Sequence, residues 1–220
     1  MDNKTDVARA ESEGRALYEM LRPYRVSVPR GERGPWTIAP FDTKLDVHYL
    51  WQARDGRAPG IGVHTRLIHE HYGVVMSDSA PEIFDLLQYT DKLTGRILVS
   101  GLGLGMVLHI LTQVERYSGN VESITVLEKD GDVVELVAAH YRALDKRIEI
   151  INADIFEWQP PNGARWDSAW HDIWPDIAPH NLPDMDRLRS KYERHVAGGR
   201  QFFWGEKETR EKQDWDEHVA

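Results

Sequence analysis

The sequence predicts an α/β fold built on a mostly parallel sheet with crossover helices. From residue 72 onward, apolar strand-like runs alternate with helical patterns. The run Ile97-Leu-Val is continuous and β-branched rather than alternating, as in a parallel strand covered on both faces. It breaks into three alternating glycines, Gly101, Gly103 and Gly105, where the backbone turns sharply and approaches something closely.

In chain order, residues 1–6 read as a frayed start, and Val7 to Leu21 as a helix with Ala10, Ala16, Leu17 and Met20 on its apolar stripe, ended by Pro23. Arg25-Val-Ser-Val, Trp36-Thr-Ile and Leu45 to Trp51 read as short strands between Pro and Gly breaks, a small antiparallel β-rich layer. Residues 1–71 therefore form an appendage, serving as substrate lid or dimer contact, and 72–220 the main sheet domain. Tyr72-Gly-Val-Val-Met reads as a strand. Asp78-Ser-Ala-Pro-Glu reads as a helix start, with Asp78 as cap, and that helix runs to Leu93. Strands follow at 96–101, 122–128, 147–152, 167–173 and 199–204. Helices follow at 104–116, 131–143 and 183–196, with a charged, solvated helix from Glu206 to Val219.

Composition excludes several classes. There is no cysteine, hence no disulfide, thiolate catalysis or Cys-ligated metal, which suits a cytoplasmic protein. No apolar run approaches membrane-spanning length, and Met1-Asp-Asn-Lys-Thr-Asp lacks signal-peptide character, so no membrane partner is expected. A formal charge of −9 argues against nucleic acid, whose binding rests on clustered Lys and Arg, and favours a small neutral or cationic substrate. Of the 8 tryptophans, Trp158, Trp166, Trp170 and Trp174 fall close together, either as core packing or as a wall against a cation. His64, His69 and His71 also cluster, but without metal-ligand spacing they read as hydrogen-bonded or surface histidines, and no metal is expected.

The glycines alone fit a plain turn as well as a nucleoside site. The second strand tips the choice, because it stops at Glu128, about 25 residues on, where a nucleoside-binding α/β unit places the carboxylate that holds its ribose. Asp154 follows the third strand, as a contact or as the cap of Ile155-Phe-Glu. Asp172 sits at the mouth of the fourth strand, where its plain reading is a carboxylate that caps a loop.

Three runs, Gly101-Leu-Gly-Leu-Gly, Ile124-Thr-Val-Leu-Glu-Lys-Asp and Arg147-Ile-Glu-Ile-Ile-Asn-Ala-Asp, stand in an order and spacing that resemble class I S-adenosylmethionine-dependent methyltransferases. Within that superfamily the chain is most similar to the spermidine synthase branch, over roughly residues 72 to 204. Trp166-Asp-Ser-Ala-Trp-His-Asp-Ile-Trp-Pro-Asp resembles the segment in which that branch, and guanidinoacetate methyltransferase, carry the substrate aspartate. The resemblance implies a Rossmann-like fold and S-adenosylmethionine as cofactor. By it, the glycine loop takes the methionine part, Glu128 the ribose, and Asp154 and the Ile155 amide the adenine. Asp172 is then the catalytic residue, with His171, Trp174, Asp78 and Glu82 on the substrate side.

The departures from the family sharpen the expectation. Leu104 and Pro175 stand where spermidine synthases carry acids that hold amines, which argues for intact S-adenosylmethionine and methyl transfer to a small amine or guanidine. Val99 replaces the usual methyltransferase acid. The closing strands of a full methyltransferase sheet are missing or displaced after Gln201-Phe-Phe-Trp. Aminopropyl transfer, a non-catalytic cofactor-binding protein and metal-assisted oxygen methylation are the competing readings. The Arg25–Leu50 segment offers sheet edges through which a homodimer would pair.

Overall fold

A computed structural model describes residues 3–219; Met1 and Asp2, two of the six residues that read as a frayed start, lie outside the described residues, and the other four already belong to the first helix. Helix α1 (Asn3–Met20) leads through a short turn to the antiparallel strands β1 (Gly31–Arg33) and β2 (Trp36–Thr43). Helix α2 (Val47–Arg54) precedes β3 (Gly62–His69) and β4 (Gly73–Ser77), and these four strands form one sheet in the order β1-β2-β3-β4. Strand β4 lies beyond residue 71, so the N-terminal sheet reaches past the point where the sequence pattern changes.

Two of the three expected strands before residue 52 are not strands. Leu45 to Trp51 is largely α2, because the Asp46 carboxylate caps it by accepting the Tyr49 N–H at 2.7 Å while Tyr49 turns inward. Arg25 to Val28 is extended but unpaired, with Val26 and Val28 buried in the main core. Apolar content is what makes both stretches resemble strands; local capping and burial decide otherwise.

Helix α3 (Ala80–Thr90) starts the second unit. It is followed by β5 (Gly95–Ser100), α4 (Met106–Gln113), α5 (Glu115–Ser118), β6 (Val121–Glu128), α6 (Gly131–Leu144), β7 (Ile148–Asn152) and β8 (Ser168–His171). Helix α7 (Leu182–Tyr192), β9 (Gln201–Phe203) and α8 (Glu206–Val219) complete it. The five strands form one all-parallel sheet in the order β7-β6-β5-β8-β9. This is the Rossmann-like α/β architecture the sequence predicts, and among the described residues no strand lies beyond β9.

The centre of that sheet is dry on both faces. Ile97 and Val99 pack with Ile83 of α3, Leu108 of α4 and Val137 of α6, whereas Leu98 packs on the other side with Met185 and Leu188 of α7. All three β5 residues are fully buried, each stabilising the fold by about 1.5–3 kcal/mol. The strand period of two then decides which residues of β8 reach which face. Trp170 joins the α3, α4 and α6 side, while Ala169 joins the α7 side.

Among the described residues no helix is long and apolar enough to cross a membrane.

Candidate functional site

Because β5 lies between β6 and β8, their carboxyl ends meet, with Ser100 opposite Leu127 on one side and His171 on the other. Glu128, the glycine loop and Asp172 therefore converge, as the order of strands in an open α/β sheet requires at its switch point. The three loop glycines are left-handed, with φ of 90° at Gly101, 49° at Gly103 and 71° at Gly105. Gly101 has a second reason to lack a side chain, since a Cβ there would overlap the Asp172 carbonyl oxygen. The loop packs directly on the strand end that carries the candidate acid.

Glu128 is bound into this loop. One carboxylate oxygen accepts the Leu102 N–H at 2.7 Å and the other the Asp130 N–H at 2.8 Å. Burial raises the Glu128 pKa, and the amides of Leu102 and Asp130 work against that rise. Asp130 caps α6 and also accepts the Trp36 indole N–H at 2.8 Å, which ties the N-terminal sheet to this corner.

Asp154 accepts the Phe156 N–H at 2.9 Å and pairs with Lys129 at 3.1 Å. Partial burial pushes its carboxyl up, but the Phe156 amide and Lys129 outweigh burial and hold it below its ordinary value. Ile155 is buried, and its carbonyl accepts from the Lys191 ammonium at 3.0 Å and the Tyr192 hydroxyl at 3.1 Å. Lys191 also reaches the carbonyls of Phe156 and Trp158, both at 2.6 Å, so one ammonium fixes the whole turn.

The acidic side of the site is a small open cleft with a cavity volume of about 50 Å³, lined by Gly101, Glu82, Asp172, Trp170, Trp174 and Trp204 among others. Burial pushes the Asp172 carboxyl up to about 7, with the Glu82 and Asp85 charges adding to the effect. Burial likewise pushes Glu82 up to about 7, even though the Ser77 hydroxyl (2.7 Å) and amide (2.9 Å) donate to it. Two carboxylates facing one low-dielectric cleft resist being charged together. A cation placed between them relieves both.

Of the expected site residues, the structure brings Glu82, Asp172 and Trp174 to one cleft with Gly101. Asp78 and His171 do not line it. Asp78 is buried against the Thr65 N–H at 2.6 Å, and the residue at the start of α3 is Ser79 instead. His171 is fully buried on the α7 face, its ring nitrogens 2.6 Å from the Ser100 hydroxyl and 3.3 Å from Gln201, and its ring stacked on Phe203. Burial lowers its pKa to about 3, so it stays neutral. Asp172, just beyond the end of β8, lines the cleft instead.

The clustered histidines also serve the fold. His64 is buried against the Gly60 and Asp78 carbonyls, and His69 accepts the His71 N–H at 3.1 Å in the β3–β4 turn.

Sequence reasoning missed Trp204 and Met76, which line the cleft from the turn after β9 and from β4. It also missed Lys191 and the Trp36–Asp130 bond. Nothing local marks these residues, since each becomes relevant only through long-range packing.

Fold and site together define an α/β protein with a Rossmann-like sheet and an acidic, tryptophan-walled cleft at its strand carboxyl ends. No protein-family model and no curated protein matches the chain. Among solved structures it is similar to the N-methyltransferase NodS from Bradyrhizobium japonicum WM9, with TM-score 0.40 and 13 % identity over 55 % of this chain and 64 % of that one. It is also similar to an S-adenosylmethionine-dependent methyltransferase from Clostridium acetobutylicum ATCC 824 (TM-score 0.37, 11 % identity, 56 % of this chain and 46 % of that one). A third is the CcbJ methyltransferase from Streptomyces caelestis (TM-score 0.40, 13 % identity, 52 % and 45 %). The chain spans less than two thirds of the length of each of these. Likeness at this level says nothing about which substrate the chain takes.

Proposed function

We propose that the chain binds S-adenosylmethionine across the glycine loop and transfers its methyl group to a small amine or guanidine held in the acidic cleft. The observation that carries this reading is the convergence of Asp172 and Glu82, both with raised pKa, on one tryptophan-walled cleft that also touches the glycine loop.

The residues fit the cofactor. Gly103 carries no side chain and is covered only by the flexible Met76 thioether, Glu128 retains lone pairs beyond its bonds to the loop amides, and the Asp154 turn is held by Lys191. When bound, S-adenosylmethionine supplies an electrophilic methyl on a positively charged sulfur. Asp172 and Glu82 hold the substrate's cationic group, with Trp170, Trp174 and Trp204 shielding it from water. Asp172 accepts a proton from the nitrogen and leaves its lone pair directed at the methyl carbon. With the cofactor bound, its sulfonium would be the methyl donor and the leaving group, and Asp172 would pass the substrate's proton on to solvent.

Aminopropyl transfer is disfavoured by Leu104, which is fully buried and apolar where an amine-binding acid would be needed. A screen of small amines and guanidines, read by S-adenosylhomocysteine release, tests the reading. Turnover on at least one, falling about 10²- to 10⁴-fold in Asp172→Asn, is the expected result. Full turnover in Asp172→Asn removes the residue from catalysis.

A further inference from the structure

The side-chain face of Gly103 is covered by Met76. A Cβ built there would lie 2.7 Å from the Met76 sulfur and 3.0 Å from its terminal methyl, the atoms crowding that position. The same sulfur accepts the Leu104 N–H at 3.3 Å, while the Leu104 carbonyl accepts from the Tyr141 hydroxyl at 2.9 Å. A thioether is a weak acceptor and the methionine side chain is flexible. So an amide at the heart of the loop is given to the poorest available partner, by a residue of the edge strand β4 that also lines the cleft.

We propose that Met76 is a place-holder on the glycine loop, whose thioether and methyl occupy the seat of the cofactor's methionine end and swing out when that end binds. The inference rests on the loop being the cofactor's seat. A ligand that lies against the Gly103 backbone has to displace the Met76 sulfur and gives the Leu104 amide a stronger acceptor, such as a carboxylate. Affinity is then reduced by the fraction of time the loop is covered, so a seat free one tenth of the time binds about tenfold more weakly than a bare one. Met76 also selects among ligands, because only one that bonds the freed amide compensates for losing the N–H to sulfur contact.

Calorimetric titration with S-adenosylhomocysteine tests this on wild type, Met76→Ala and Met76→Leu, alongside NMR of methyl-labelled methionine in the wild type. The expected result is about tenfold tighter binding by Met76→Ala, an intermediate gain in Met76→Leu, and movement of the Met76 methyl resonance in step with ligand occupancy. Thermal unfolding confirms that each variant is folded. Binding by the wild type with no gain in a folded Met76→Ala overturns the inference alone. If neither protein takes the ligand, the cofactor seat and the place-holder fall together.

Discussion

The charge on Asp172 opposes folding at neutral pH, and Asp172→Asn removes it with little change in shape. Its carboxyl moves from 3.8 to about 7 on folding, driven first by burial and then by Glu82 and Asp85. That is about three powers of ten in the protonation constant, at about 1.4 kcal/mol each, a ceiling of about 4 kcal/mol. Two effects reduce it: the residue is half-buried, so solvent screens part of the charge, and neutralising one carboxylate eases the other. About 2 kcal/mol remains, which raises the melting temperature by about 4–8 °C in a chain of this size.

The sign follows from linkage. The folded carboxyl holds its proton more tightly than the unfolded one, so the destabilisation is absent below pH 3.8 and complete above about 7. At pH 5 roughly a third of the effect is present. Thermal unfolding followed by circular dichroism at pH 5 and pH 8 reads it directly. A stabilisation equal at both pH values, or a loss of stability at pH 8, refutes the reasoning.

Two further substitutions separate fold from site. His171→Ala leaves a cavity and removes a partner from Ser100 and Gln201, costing about 3 kcal/mol of stability by denaturant unfolding while leaving cofactor affinity unchanged. Because burial depresses the His171 pKa to about 3, its contribution is present above about pH 6.5 and is lost progressively as pH falls towards 3; urea midpoints measured across that range decline less in His171→Phe. Lys191→Met frees the carbonyls of Ile155, Phe156 and Trp158 and loosens the turn beside Asp154. S-adenosylhomocysteine affinity then drops about tenfold in a calorimetric titration, with a smaller effect on turnover at saturating cofactor.

The parallel sheet was legible because its signal is local. Ile97-Leu-Val is continuous where the strand is buried on both faces, and Glu128, Asp154 and Asp172 stand at or just beyond the carboxyl ends of β6, β7 and β8, on one edge of the sheet. The N-terminal layer was less so. The stretch Leu45 to Trp51 has β-branched and aromatic residues suited to a strand, yet a single Asp46 cap turns most of it into a helix.

The same limit applies to the site. Asp78 carries the right chemistry for a substrate contact and is instead held by the Thr65 amide, and His171, the last residue of β8, is stacked on Phe203 while Asp172, just past the strand end, lines the cleft. Met76 and Lys191 act through contacts across 28 and 36 residues, respectively, which no local pattern encodes.

Calorimetric titration of the chain with S-adenosylmethionine and with its decarboxylated form bears most directly on the central claim. The account predicts a single site per chain that takes the intact cofactor more tightly, because Leu104 offers no acid to an unpaired amine. No binding of either form, or tighter binding of the decarboxylated one, contradicts it.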